Sequence, residues 1–116
     1  MVPMDSRSTV CDMAQWLGLP AVVVARAGLG TINHTLLTLQ ALRLAKVVIA
    51  GVVINRYPPG TPEIAEETNP RMIERWGRVP MLALAPECDL AESAILPEDV
   101  AAAIDPVDWG ARAGIG

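Results

Sequence analysis

The heptapeptide Gly28-Leu29-Gly30-Thr31-Ile32-Asn33-His34 holds the residue types best suited to chemistry in this chain. It lies between a short apolar segment and a leucine-rich stretch of helical character. A helix start presents unpaired N–H groups and a partial positive charge. Glycines let the backbone come close to a ligand. An anion, carboxylate or phosphate, is the guest such a turn would hold. The plainer alternative is a tight βα turn capped by Thr31. The segment is not a P-loop, because GxxxxGK[ST] occurs nowhere and no lysine follows the glycines. It is not a GxGxxG fingerprint either, since Asn33 stands where the last glycine belongs.

Asn55 closes a second apolar segment. Its carboxamide offers a donor and an acceptor, which suits a purine edge, although such an Asn can equally cap a turn. Pro86-Glu87-Cys88 follows a third apolar segment and reads, by itself, as a loop. His34 would fall in the first helical turn, with no acidic or nucleophilic partner near it in sequence. Glu63, Glu66, Glu67 and Glu74 read as a solvated helix face. Cys11 and Cys88 have no CxxC spacing, and with one histidine in the chain there is no zinc ligand cluster. Free thiols in a reducing compartment are the expectation.

Positioning these residues requires a specific order of elements. Thr9–Leu17 puts Val10, Met13, Ala14 and Leu17 on one helical face, ended by Gly18 and Pro20. Ala21–Ala25 is apolar without alternation, as in strands of a parallel sheet covered on both sides. A helix capped by Thr31 is expected to run to about Ala45, with Lys46 suiting its C-terminal dipole. Val47–Ile54 completes a βαβ unit. Residues 55–62 read as a loop. Asn69 looks like an N-cap with Pro70 at the first helical position, in a helix ended by Gly77. Met81–Ala85 is a third strand, and Glu98–Ile104 a short helix. Asp108–Gly116 is expected to fray. The fold class expected is α/β, a parallel sheet with flanking helices.

The 116 residues suit one domain, and 52% hydrophobic content argues against disorder. Aromatics are few, so aliphatic residues must build the core. A net charge of -4 and the lack of a basic run leave no nucleic-acid footprint. No signal peptide and no membrane-spanning run is visible, so no membrane partner is expected and a cytoplasmic location is.

Val22–Thr38 (VVVARAGLGTINHTLLT) closely resembles the signature of the dethiobiotin synthetases. The resemblance continues through Gly51–Asn55 (GVVIN), the Thr68-Asn69-Pro70 step and Pro80–Pro86, and covers roughly residues 2 to 90. It implies the C-terminal half of a P-loop NTPase-like fold. The family makes dethiobiotin from 7,8-diaminononanoate, CO2 and ATP with Mg²⁺, as homodimers. By that match Gly28, Gly30, Thr31, Ile32 and Asn33 would bind the substrate. Gly30, Ile32 and Asn33 would hold its carboxylate, chiefly through helix N-terminal N–H groups. Asn55 would read the adenine, and Pro86, Glu87 and Cys88 would border the base.

The family's P-loop, catalytic lysines and Mg²⁺-binding aspartate would lie upstream of residue 1. No catalytic residue and no metal ligand is therefore assigned in this chain, and the chain alone is not expected to turn over. Residues 1–95 are expected to form the synthetase-like part, with 96–116 a short helix and frayed tail. The partner expected is either a second copy or a separate polypeptide bearing the P-loop. The alternative function is a non-catalytic α/β dimerisation or interaction module derived from such an enzyme.

Overall fold

A computed structural model describes residues 1–58, 60, 64–88 and 96–114. Residues 59, 61–63, 89–95 and 115–116 lie outside it, among them Glu63, part of the expected 55–62 loop, the expected boundary at residue 95 and the end of the tail. The fold is α/β. Three parallel strands, β1 (Ala21–Arg26), β2 (Ile49–Tyr57) and β3 (Met81–Pro86), pair in the order β1-β2-β3. The helices are α1 (Val10–Leu17), α2 (Thr31–Leu44), α3 (Ile64–Gly77), α4 (Glu98–Ile104) and α5 (Trp109–Arg112).

The main core lies between the sheet and the α2–α3 layer. Leu39 of α2 and Ile73 of α3 pack with Ala25, Val52 and Ile54. On the opposite face Val53, Ala83 and Ala85 form a smaller cluster against Leu82 and Val107. There α4 lies on β3 with Val100 buried.

The expectation of cover on both faces holds for β2, where Gly51–Ile54 are all buried. It fails for β1. That strand is an edge, and its side chains alternate: Ala25 is buried while Val24 is 63% exposed. The reason is topological, since the helix on that face of the sheet packs on β3 at the far edge.

Local chemistry explains most boundaries. Thr9 caps α1 in a reciprocal box: its hydroxyl accepts from the Asp12 N–H, and Asp12 Oδ2 accepts from the Thr9 N–H at 2.7 Å. Gly18 ends α1 in the left-handed region. Of the apolar face expected on α1, Val10, Met13 and Leu17 are exposed and Ala14 is half-buried, so none of it is fully buried. Cys11 Sγ reaches the Ala41 carbonyl of α2 at 3.9 Å.

At the end of α2 the N–H of Lys46 donates to the Arg43 carbonyl and that of Val47 to the Leu42 carbonyl. This is a Schellman closure, and Leu42 and Val47 are both buried. It holds Val47 out of the sheet, so β2 begins at Ile49 rather than at Val47.

Three further expectations are corrected. β2 continues past Asn55 to Tyr57, because Tyr57 pairs with Pro86 and its carbonyl accepts the Glu87 N–H. Pro70 is not at a helix start but inside α3, and Asn69 is a helical residue, not a cap. Gly77 does not turn the chain out of α3; Arg78, with φ 50°, does so. Gly77 instead lets two helices approach: a Cβ there would lie 2.8 Å from Leu39 Cδ1. Arg43 of α2 donates to the carbonyls of Gly77 and Arg78, tying the helices at that end. The tail expected to fray carries α5, capped by Asp108 Oδ1 accepting the Ala111 N–H.

Candidate functional site

The carboxyl ends of the strands form one continuous edge. Arg26 at the end of β1 pairs in register with Asn55 of β2, and Tyr57 of β2 pairs with Pro86 of β3. Adjacent strands stand about 4.8 Å apart. The β1–α2 turn, Asn55 and Pro86-Glu87-Cys88 therefore leave the sheet side by side, the position where open α/β sheets bind ligands.

In the turn, Ala27 is buried and Leu29 fully presented to solvent. The Thr31 N–H donates to the Gly28 carbonyl at 3.3 Å. Gly30 has φ 88°, a left-handed conformation that an L residue adopts at a cost of about 1–2 kcal/mol. Gly30, not Thr31, is the N-cap, and no side chain caps the helix. Thr31 is the first helical residue and is 2% exposed, its hydroxyl 3.5 Å from that of Thr35.

The His34 N–H donates back to the Gly30 carbonyl at 3.1 Å. Among the described residues the N–H groups of Ile32 and Asn33 meet no protein acceptor. No acidic residue stands in the first turn of α2. Two open donors at the positive end of a 14-residue helix make an anion-receptive surface. Asn33 is exposed, and Gly28 and Ile32 are half-buried.

A cavity of about 420 Å³ runs beside the turn, between α2 and the open edge of β1. Thr31, His34, Thr35 and Thr38 line its helical wall, and Val23 to Arg26 the other. The Thr38 hydroxyl donates to the His34 carbonyl at 2.8 Å. The threonines at 31, 35 and 38 recur at helical spacing, a periodic signal on which the reading of the turn placed no weight.

Asn55 is exposed, and its Oδ1 accepts the Arg56 N–H at 2.9 Å. Arg56 has φ 56° and sits in an irregularity of the β2–β3 pairing. Such bulges re-aim side chains at sheet rims. The acceptor half of the Asn55 carboxamide thus serves the backbone. Glu87 is exposed, and Pro86 and Cys88 are half-buried, Cys88 as a free thiol.

Sequence reasoning missed Asn69 as a tertiary contact. It is 4% exposed, and its Nδ2 donates to the Ala27 carbonyl at 2.8 Å. The Asn-Pro pair suggested a helix start and so concealed this.

No GxxxxGK[ST] occurs in the sequence, and among the described residues no group of three or more His, Cys, Asp or Glu could hold a metal ion. Among the described residues no helix is long and apolar enough to cross a membrane.

Comparison with known proteins agrees with the sequence resemblance. A family model described as "AAA domain" matches residues 1–94. The ATP-dependent dethiobiotin synthetase BioD of Anaeromyxobacter sp. (strain K) is 46% identical over 96 residues, which cover 81% of this chain and 42% of that protein. The biotin biosynthesis bifunctional protein BioCD of Bordetella avium is 46% identical over 92 residues, 79% of this chain and 18% of that protein. The BioD of Haloferax mediterranei is 38% identical over 103 residues, 89% of this chain and 41% of that protein. The chain thus spans about two fifths of the length of the dethiobiotin synthetases it matches. With the family model covering most of its residues, the chain belongs to the AAA domain family and is related to ATP-dependent dethiobiotin synthetases over about four fifths of its own length.

Proposed function

We propose that this chain is part of a dethiobiotin synthetase-type ligase of biotin biosynthesis, carrying the turn that receives the carboxylate of a 7,8-diaminononanoate-like substrate. The observation that carries the reading is the pair of open N–H groups of Ile32 and Asn33 at the uncapped start of α2, within the GLGTINH sequence. Gly28 and Gly30 permit close approach of the anion, and Thr31 supports the helix start from inside. Asn55, Pro86, Glu87 and Cys88 would line the adenine side. ATP phosphates and Mg²⁺ would be held by a P-loop-bearing segment that these 116 residues do not contain, and the partner would be a second copy or a separate polypeptide bearing that segment, in the cytoplasm. Residues 1–95 would be the ligase-like unit, with 96–116 appended. On this reading the chain binds substrate and does not turn over alone, because phosphoryl transfer depends on charge neutralisation at the γ-phosphate.

A second reading, a non-catalytic module that associates through its apolar surface, is favoured by one observation: α1 buries no residue, and Val22 and Val24 of β1 are exposed beside it.

Calorimetric titration with 7,8-diaminononanoate decides between them. Binding that Gly30→Asp abolishes, in a variant folded by circular dichroism, supports the ligase reading. No binding by the folded chain leaves the module reading.

A further inference from the structure

The side chain of Asn69 reaches across 42 residues of sequence to the carbonyl of Ala27, the residue just before Gly28. Both residues are buried, at 4% exposure each. Among the described residues no other side chain hydrogen-bonds a backbone group between Ala27 and Asn33. The remainder of the turn is closed by its own main chain, through the Thr31 N–H to Gly28 and the His34 N–H to Gly30. Two of its residues are glycines, so its conformation is weakly determined by local sterics.

Asn69 is also locally costly. It precedes Pro70, and the residue before a proline is disfavoured in the α region, yet Asn69 is helical. Pro70 further removes one hydrogen bond from α3. Those local preferences are overruled at the position that delivers a carboxamide to the turn.

We propose that Asn69 is a positioning residue: by holding the Ala27 carbonyl it sets the Gly28–Gly30 backbone so that the Ile32 and Asn33 N–H groups converge on the anion. The proposal rests on the carboxylate-turn reading given under the proposed function. Asn69 touches no ligand. It acts through the backbone it anchors.

The test compares Asn69→Ala with Ile73→Val, a methylene deletion in the core on the same helix. Two readouts are taken on each 116-residue chain. One is amide hydrogen exchange at Thr31 and His34, whose N–H groups close the turn; the other is the calorimetric dissociation constant for 7,8-diaminononanoate. Loss of one buried hydrogen bond predicts turn exchange about tenfold faster and affinity about tenfold weaker for Asn69→Ala. Ile73→Val should leave both near wild type. Unchanged turn exchange in Asn69→Ala overturns the proposal, as does an equal effect from Ile73→Val. Faster turn exchange with unchanged affinity overturns the link to binding. Should Asn69→Ala not fold, Asn69→Ser, a smaller loss of volume, is read by the same criteria. If the wild-type chain binds no ligand, the carboxylate reading falls, while hydrogen exchange still decides whether Asn69 holds the turn.

Discussion

Gly77 of α3 and Leu39 of α2 meet at a contact with no room for a side chain on the glycine. A Cβ at residue 77 would sit 2.8 Å from Leu39 Cδ1 and 3.3 Å from Val79 Cγ2, and Leu39 is fully buried. The helices are also joined there by Arg43, whose guanidinium donates to the Gly77 carbonyl. Gly77→Ala should therefore destabilise the chain although alanine is the better helix former. Overpacking costs about 1–3 kcal/mol, against a propensity gain of about 1 kcal/mol. Urea denaturation measures the balance. A stabilised variant would show that the two helices can separate freely.

Lys46 illustrates the opposite case. It occupies the left-handed C′ position of the α2 closure, with φ 57°, where glycine is the usual residue. Lys46→Gly relieves about 1–2 kcal/mol of backbone strain and adds about 0.5–1 kcal/mol of chain entropy. A net gain of about 0.5–1 kcal/mol is expected from thermal unfolding. A loss would mean that the lysine charge at the helix C-terminus outweighs the strain.

The exposed valines of β1 predict self-association. An open strand edge with apolar neighbours is an adhesive surface. Val24→Lys places a charge on that face, where the side chain is well exposed and no core contact is lost. Sedimentation should show less association than in wild type, with an unchanged unfolding midpoint. Equal association by both proteins would point to α1 instead.

Acid should loosen the N-terminal segment first. The Asp5 carboxyl is held below the ordinary aspartate value of 3.8 by hydrogen bonds from the Ser8 hydroxyl and then the Arg7 and Ser8 N–H groups. The Asp12 carboxyl is likewise lowered, by the Thr9 hydroxyl and N–H. Both groups have depressed folded values. Their stabilisation is thus present above 3.8 and lost as pH falls through the folded values. Carboxyl titration by nuclear magnetic resonance should place both midpoints below 3.8, with faster exchange of the Arg7 and Thr9 amides on the acid side. A midpoint at or above that value for Asp5 would mean that its turn with Arg7 and Ser8 does not persist in solution, and for Asp12 that the capping box does not.

Much of this protein was legible in its sequence because the decisive signals are local. Short apolar runs located three strands, two of them rich in β-branched residues, and Glu98–Ile104 emerged with the expected limits. The glycine turn before a leucine-rich helix was recognisable as a helix start at the end of a strand, since helix N-terminal geometry depends on a few consecutive residues. What the sequence could not determine were relations set by packing. Asn69 and Pro70 look like a helix start in isolation, and only the nearness of the Ala27 carbonyl accounts for an Asn inside the helix. Gly77 looks like a stop, yet its role is to admit Leu39 of another helix. Val22 and Val24 look like core residues, and strand order alone leaves them at an edge. Propensity and capping act within a turn or two of chain. Cover, close approach and tertiary hydrogen bonds depend on which elements become neighbours, and that is decided by the folded sheet.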